Sequence, residues 1–142
     1  MRKEDQEIQQ VSKSYKENLA ANTLDGPPII KRVMECIHEH LFCRQLAVRW
    51  LRDYCNVNGS DFSGKFKFYV GKSPQQYWLG HRVRLAKELL AKEELAEVSI
   101  LSIALSVGFN SHSAFSMIFK KHMGCSPSEY RVKMLQQNEK KS

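Results

Sequence analysis

Apolar residues recur along most of the chain at intervals of three and four positions, which is the spacing of an amphipathic helix. The first such stripe lies within residues 4–22 and consists of Ile8, Val11, Tyr15 and Leu19. The stretch from Asp25 to Pro28 breaks the pattern, because Gly and Pro interrupt helices. A second stripe comprises Ile30, Val33, Met34, Ile37 and Leu41, and a third helix is predicted over residues 46–55. Since sustained period-two alternation is absent, the sequence predicts an all-α fold with a short N-terminal helix.

The sixteen residues from Phe62 to Tyr77 are partly repeated from Phe115 to Tyr130, with eight identical positions. Each copy has two phenylalanines four residues apart, a glycine, and a Ser-Pro step: Phe62, Phe66, Gly71, Ser73 and Pro74, then Phe115, Phe119, Gly124, Ser126 and Pro127. The phenylalanines point into a core, and the glycine suits a left-handed helix end. Gln76 and Glu129 complete capping boxes with the two serines. The shared residues therefore predict a scaffold of one helix, a turn and the start of another.

The region around the second copy, residues 99–122, has the pattern of a helix-turn-helix. Its marks are a capping Ser99, a small Ala104, Gly108 for the helix end, Phe109 for the core, and a second cap at Ser111 or Asn110. The second helix of such a unit enters the major groove of DNA, with its first residues on base edges. Its outward face carries His112, Ser113, Ser116, Met117, Lys120 and Lys121. We expect the first four to contact bases and the two lysines to contact phosphates, with ordinary solvent exposure as the alternative.

The first copy fits the same pattern less closely, over residues 46–69. Counting back 53 residues places Leu51 at the position of Ala104, with Asn56 in the tight turn and Asn58 as the cap. The candidate DNA-contacting residues of this unit are Gly59, Ser60, Ser63, Gly64 and Lys67. A long helix predicted over residues 74–94 would join the two units. On that helix, Arg82 and Arg84 either touch DNA or pair with Glu88 and solvent.

Charge is distributed unevenly along the chain. Residues 1–40 carry six Lys and Arg against seven Asp and Glu, whereas residues 41–142 carry sixteen against eight. The whole surplus of +7 therefore lies with the repeat, which indicates a polyanionic partner such as double-stranded DNA.

Other chemistry has little support in the sequence. There is no run of about 18 apolar residues for a membrane span and no secretory signal, so we expect a cytoplasmic protein. The four cysteines, Cys36, Cys43, Cys55 and Cys125, lack zinc spacing, and His38 and His40 lack a third ligand. We predict reduced thiols, no metal, no cofactor and no enzymatic activity. A cysteine methyl acceptor would need a cysteine in a Pro-Cys-His setting, and no cysteine of this chain lies in one.

The motifs together resemble the DNA-binding region of the AraC/XylS family of bacterial transcription regulators. The matching stretches are FSGKFKFYVGKSP, HRVRLAKELL, SILSIALSVGF and FSMIFKKHMGCSPSEYR, within residues 29–135. The resemblance implies two helix-turn-helix subdomains joined by a long linker helix, with two recognition helices in successive major-groove segments. It also implies transcription activation through contact with RNA polymerase. Residues 1–28 are then an N-terminal helical extension and linker, and residues 136–142 a basic tail.

The chain departs from the family pattern at several positions. Many members have Arg where Gly64 and Met117 stand here, and a small residue where the register places Leu51. About 28 residues precede the repeat region, so we expect no effector-binding domain on this chain.

Two functions stay open at this point. The first is a stand-alone, sequence-specific DNA-binding regulator, an activator, in which the second unit reads bases and the first mainly holds the backbone. The second is a helix-turn-helix module for protein interaction, with weak or nonspecific DNA binding. The N-terminal stripe either packs within the chain or contacts a partner, and the oligomeric state is left open.

Overall fold

The computed structural model describes residues 2–20, 26–57 and 61–141. The part of the chain it describes consists of helices and their connections, so the all-α prediction is confirmed. The helices are α1 (Lys3–Ala20), α2 (Pro28–Glu39), α3 (Val48–Tyr54), α4 (Asp61–Val70), α5 (Pro74–Leu90), α6 (Ile100–Ser106), α7 (His112–Met123) and α8 (Pro127–Lys141), with a short 3-10 helix at Glu93–Leu95. Helix α8 continues through most of the residues predicted as a basic tail.

Two hydrophobic cores divide the molecule into two units. The first unit, made of α2, α3 and α4, has a core of Ile30, Val33, Met34, Ile37, Leu41, Leu46, Leu51, Cys55, Val57, Phe62, Phe66 and Trp78. The second unit, made of α6, α7 and α8, packs around Val83, Leu85, Ala86, Leu89, Leu90, Leu95, Ile103, Ala104, Val107, Phe109, Phe115 and Phe119. Helix α5 contributes Trp78 to the first core and five residues from Val83 to Leu90 to the second. It therefore joins the units, as the sequence predicted.

Helix α5 ends earlier than predicted, at Leu90 rather than near Glu94. Lys92 adopts an extended conformation, with φ of −86° and ψ of 125°, and the 3-10 turn follows. This bend brings Leu95 back into the second core, where its side chain is fully buried. Burial of the Leu95 side chain therefore favours the early end of α5.

The N-terminal helix α1 packs within the chain, against α2 and α5. Ile8 and Val11 lie on the second core, Leu19 lies on the first, and Tyr15 contacts both. The Tyr15 hydroxyl and His81 Nδ1 are joined by a hydrogen bond of 2.7 Å. Burial raises the pKa of Tyr15 to about 12 and lowers the pKa of His81 to about 4. Intramolecular packing, the first of the two alternatives for this stripe, is confirmed.

Both serines predicted to cap the helices after the glycines do so, and the first forms the complete predicted capping box. The Ser73 amide donates to Gln76 Oε1 over 3.1 Å, and the Gln76 amide donates to Ser73 Oγ over 3.2 Å. In the second copy the Glu129 amide donates to Ser126 Oγ over 3.1 Å. The preceding glycines, Gly71 and Gly124, have φ of 88° and 78°, a left-handed conformation that favours Gly. Local interactions therefore end both α4 and α7 and begin the helix that follows each of them.

Candidate nucleic-acid interface

Short-range interactions set the position of α7, the second helix of the second unit. The Ser102 amide donates to Ser99 Oγ over 3.0 Å, which starts α6. Gly108, at φ of 106°, reverses the chain after α6. The Ala114 amide then donates to Ser111 Oγ over 3.1 Å, so Ser111 is the cap of α7. The turn and both caps agree with the sequence prediction. Of the two residues predicted as the second cap, Ser111 and Asn110, the cap is Ser111.

One side of α7 is fixed by an aromatic core. The Phe115 ring lies 5.3 Å from the Phe109 ring and 5.6 Å from the Phe119 ring, measured between centroids. Tyr130 of α8 contacts Phe119 edge-on at 5.5 Å. Since Phe115 and Phe119 are both fully buried, the opposite side of α7 must face outward.

The outward side of α7 carries the residues predicted to contact DNA. Five of the six are exposed: His112, Ser113, Met117, Lys120 and Lys121. Ser116 is half-buried, and its hydroxyl lies 3.4 Å from His112 Nδ1. Met117 exposes 67% of its surface and is the one strongly exposed apolar side chain among these six residues. The surface therefore combines hydrogen-bonding groups, one apolar group and two cations, and α6 and α7 contain no Asp or Glu.

The equivalent surface on α4 is poorer in polar groups. Gly59, Ser60 and the predicted cap Asn58 lie outside the described residues. Ser63 is half-buried, whereas Gly64 and Lys67 are exposed. A Cβ atom at Gly64 would meet no neighbour within 4 Å.

Sequence reasoning missed the most exposed apolar residue of α4, Phe68, which has 81% of its surface in solvent. Phe68 lies four residues after Gly64 and therefore on the same outward face of α4. It is the counterpart of Lys121 in the second copy, so an apolar ring replaces a cation there. The repeat alignment alone could have found it, because the phenylalanine breaks the pattern of a basic helix end.

The turn hydrogen bonds show that the predicted alignment of the first unit on the second is wrong by one residue at the turn. The Val57 amide donates to Arg52 O over 3.1 Å, and the Phe109 amide donates to Ala104 O over 3.0 Å. Arg52 therefore stands at the position of Ala104, 52 residues apart, although Phe62 and Phe115 are 53 apart. Leu51 is not at the small-residue position but in the core. The first buried phenylalanine therefore follows the turn residue by six positions in the first unit, from Asn56 to Phe62, and by seven in the second, from Gly108 to Phe115.

Two further expectations about the turn and linker had different outcomes. Asn56 has φ of 52° and holds the left-handed turn residue of the first unit, as predicted. Arg82 is buried and bonded within the protein, so neither contact with DNA nor pairing with Glu88 and solvent describes it. Its neighbour Arg84 is exposed.

The cysteines and histidines considered for other chemistry have structural surroundings. All four cysteines are free thiols, of which Cys55 is buried. His38 Nε2 is 2.5 Å from the Tyr77 hydroxyl, and His40 Nδ1 is 3.0 Å from Cys36 O. Among residues 2–20, 26–57 and 61–141, no three or more His, Cys, Asp or Glu side chains are grouped to hold a metal ion. Nor does any helix in those ranges have the length and apolar character needed to cross a bilayer.

Known proteins match this chain across the region just described. A family profile described as a helix-turn-helix domain matches residues 51–133, more than half of the chain. A protein from Streptomyces lividans named as an AraC-like transcription regulator is 34% identical over 104 residues, which cover 73% of this chain and 33% of that protein. The chain thus spans about a third of the length of the curated relatives it matches.

Solved structures show the same arrangement of helices. The C-terminal domain of AraT, a response regulator from Geobacillus stearothermophilus, is 32% identical with a TM-score of 0.67, over 75% of this chain and 86% of that one. The DNA-binding domain of the global transcriptional factor AdpA, solved with a target DNA, is 26% identical with a TM-score of 0.68, over 78% of this chain and 96% of that one. These relatives are named as an AraC-like transcription regulator, a response regulator and a global transcriptional factor, and none of these names is that of an enzyme. The matched profile, the relatives and the paired helix-turn-helix units show that the chain belongs to the AraC family of helix-turn-helix transcription regulators.

Proposed function

We propose that this chain binds double-stranded DNA in a sequence-specific manner, with α4 and α7 in successive segments of the major groove. The observation that carries the proposal is the outward face of α7, which exposes five polar, cationic or apolar side chains on a helix held by a buried aromatic core. The surplus of positive charge lies in the same part of the chain. The likeness to the AdpA domain, which was solved with DNA, supports the same assignment.

The second unit is proposed to read the sequence. His112 and Ser113 stand in the first turn of α7, where side chains reach base edges in helix-turn-helix complexes. Met117, one turn further along the outward face, would contact thymine methyl groups, because it has no hydrogen-bonding atom stronger than a thioether. Ser116 is less accessible and would hold the His112 ring through the 3.4 Å contact. Lys120 and Lys121 would contact phosphates.

The first unit is proposed to hold the DNA backbone. Lys67 is exposed on α4 and would contact a phosphate, while Ser63 and Gly64 offer little for base discrimination. Because Gly64 has no side chain, the helix backbone can approach the groove closely there. Gly59 and Ser60 stay predictions for this surface. Arginine bound to guanine is the commonest specific base contact, and both positions where the family often has Arg lack it here.

The biological setting is also part of the proposal. The family resemblance suggests an activator that works beside RNA polymerase, and DNA as partner suggests a cytoplasmic protein. Transcription in vitro from a promoter carrying the selected site would test activation. More transcript on adding the protein would support it, and a decrease would indicate a repressor.

A second candidate function, protein interaction through the first unit, is favoured by one observation. Phe68 and Tyr69 of α4, together with Pro27 and Ile29, line a shallow depression beside Gly64 with a volume of about 370 Å³. Phe68 and Tyr69 are both exposed and lie beside Pro27 and Ile29, and a contiguous apolar patch on the surface is typical of protein contact sites. Under this reading only the second unit meets DNA.

Selection from random duplexes with the full chain tests the leading proposal. Titration of the enriched duplex against a scrambled one, at fixed salt, should show a preference of at least ~10³-fold. The variant Lys121→Ala should weaken both duplexes, whereas Lys133→Ala, an exposed lysine of α8, is the matched control. A preference of only severalfold would contradict sequence-specific binding and leave protein interaction as the better account.

A further inference from the structure

Arg82 is an arginine in the middle of α5 that is buried between the two units, with 4% of its surface exposed. Its Nε donates to Leu41 O over 2.9 Å, and its Nη2 donates to Cys43 O over 2.8 Å. Both carbonyls belong to the connection between α2 and α3, about forty residues earlier in the chain. Arg82 is thus tied directly to the first unit by two hydrogen bonds.

The same guanidinium also contacts the second unit. Its Cζ atom lies 5.9 Å from the centroid of the Phe109 ring, within cation–π range. Phe109 directly follows Gly108, the turn residue between α6 and α7. A Cβ atom at Gly108 would lie 2.7 Å from Arg82 Nε, so the turn leaves room for the arginine. The guanidinium therefore fills the space between the α2–α3 connection and the α6–α7 turn.

The chemistry of arginine makes this contact rigid. The guanidinium is planar and its donors point in fixed directions, so two carbonyl partners and a ring fix its position. A buried cation is costly unless it is hydrogen-bonded, which resists any movement that would break those bonds. Burial lowers the pKa of Arg82 to about 10, and the group remains cationic at neutral pH. A lysine could not reproduce this pattern, because its ammonium is a single point of attachment.

We propose that Arg82 is a positioning residue that fixes the angle between the two helix-turn-helix units. On the function proposed above, this angle sets the separation and helical phase at which α4 and α7 meet the DNA. Without Arg82 the units would remain joined by α5 and covered by α1. The α2–α3 connection would then lose its direct link to the α6–α7 turn, and the first unit could roll around α5.

A distance measurement without DNA tests the proposal directly. A ketone-bearing amino acid replaces Lys65 of α4 and His122 of α7, both exposed, and a nitroxide label is attached to each ketone. Pulsed electron paramagnetic resonance then reports the distance between the two recognition helices. We expect one narrow distance distribution for the native arginine and a broader one for Arg82→Lys and Arg82→Met. The matched control Lys87→Met removes a cation from the same helix and should leave the distribution narrow.

Circular dichroism confirms that each variant is folded before its distances are interpreted. If Arg82→Met does not fold, Arg82→Lys carries the test, because it keeps the charge and can still donate hydrogen bonds, although from a single nitrogen. Unchanged narrow distributions in folded variants would overturn the proposal and leave Arg82 as an ordinary buried group.

A DNA measurement adds the functional consequence. On the duplex selected by the native chain, inserting one or two base pairs between the contacted segments should sharply weaken binding. Arg82→Lys should bind the original spacing about tenfold less tightly, since preorganisation is lost, and should respond less to the inserts. An equal response to inserts would contradict the proposal. Failure to select any duplex would count against the proposed DNA binding, while the distance measurement would still decide the role of Arg82.

Discussion

The two helix-turn-helix units have the same scaffold and different outward faces. In both, two phenylalanines four residues apart are buried, and a left-handed glycine ends the recognition helix. In both, a serine then starts the next helix by accepting an amide hydrogen bond. Because each of these features depends on a few neighbouring residues, one short sequence pattern is sufficient to build the device twice.

The outward faces differ at the positions that do not support the scaffold. Gly64 and Phe68 of α4 correspond to Met117 and Lys121 of α7. At these two positions the face of α4 has a glycine without a side chain and an exposed aromatic ring. The face of α7 has a methionine side chain and a cation there. Core positions tolerate little change, whereas exposed ones are free to diverge, so function is to be sought where the copies disagree.

The largest effect should come from the part that the units share. Phe66→Ala and Phe119→Ala each remove a fully buried ring, and each should lower the free energy of unfolding by about 3–5 kcal/mol. Urea unfolding followed by circular dichroism measures both. Similar losses would confirm that the scaffolds are equivalent. A loss below ~1 kcal/mol for one alone would show that its core is not closely packed.

The two units should differ in how far acid lowers their stability. His81 is buried against α1 and its pKa falls to about 4, mainly through burial and then through the nearby Arg84 cation. Since the unfolded value is ~6.5, the unfolded chain takes up the proton first, and stability falls as pH drops from ~6.5 towards 4. The loss attributable to His81 has an upper limit of about 3 kcal/mol. His38, whose pKa is also lowered by burial, should act in the same direction.

Tryptophan fluorescence and circular dichroism together show whether the first unit unfolds in acid before the rest of the chain. Both tryptophans, Trp50 and Trp78, pack with the first unit, so their fluorescence reports that unit. The histidines of α7, His112 and His122, are exposed. His81→Gln should flatten the pH dependence of stability, with His122→Gln as the control. If both variants keep the native slope, His81 does not cause the acid sensitivity.

The DNA-binding surfaces should respond differently to loss of a base contact and loss of a phosphate contact. His112→Ala should change the preferred base at one position, with a discrimination of about 1–3 kcal/mol lost there. Lys120→Ala should weaken all sequences alike and reduce the slope of log affinity against log salt by ~0.9. Anisotropy titrations of the selected and scrambled duplexes at several salt concentrations measure both. Equal, sequence-independent losses from the two variants would contradict the assignment of His112.

The smallest effect concerns the glycines of the first unit. Gly64 is within α4 and an added Cβ would meet nothing within 4 Å, so Gly64→Ala should stabilise the protein by about 0.5–1 kcal/mol. Gly71 has equal space around it but a φ of 88°, so Gly71→Ala should destabilise it. Thermal unfolding of the two variants distinguishes the signs. Destabilisation by Gly64→Ala would indicate that α4 is strained at that position.

Features that depend on nearby residues were predictable from the sequence. The periodic apolar stripes gave the helices and most of the two cores. The turn residues Asn56 and Gly108 followed from the backbone conformations that Asn and Gly allow, and the cap of α7 was narrowed to Ser111 or Asn110, of which Ser111 is the cap. The outward face of α7 followed in turn, because burial of Phe115 and Phe119 leaves only one side of the helix free.

Features that depend on distant residues were not predictable. Arg82 reads as a surface residue of an amphipathic helix, because its carbonyl partners lie about forty residues away. The shift of one residue in the first turn is set by which amide closes the helix end, and an ungapped alignment of the repeat cannot show it. The early end of α5 depends on the site into which Leu95 folds. Arg82 and Leu95 depend on long-range contacts that leave no local pattern, whereas the turn shift is a local change of spacing between the two copies.

Substitution of every base pair in the selected duplex, one at a time, tests the central claim of unequal units most directly. We predict two sensitive segments about one helical turn apart. Changes in one segment should cost about 1–3 kcal/mol each, and changes in the other should cost distinctly less. His112→Ala and Ser113→Ala should alter only the more sensitive segment. Equal sensitivity of the two segments, or a sensitive segment that ignores both α7 variants, would contradict the account.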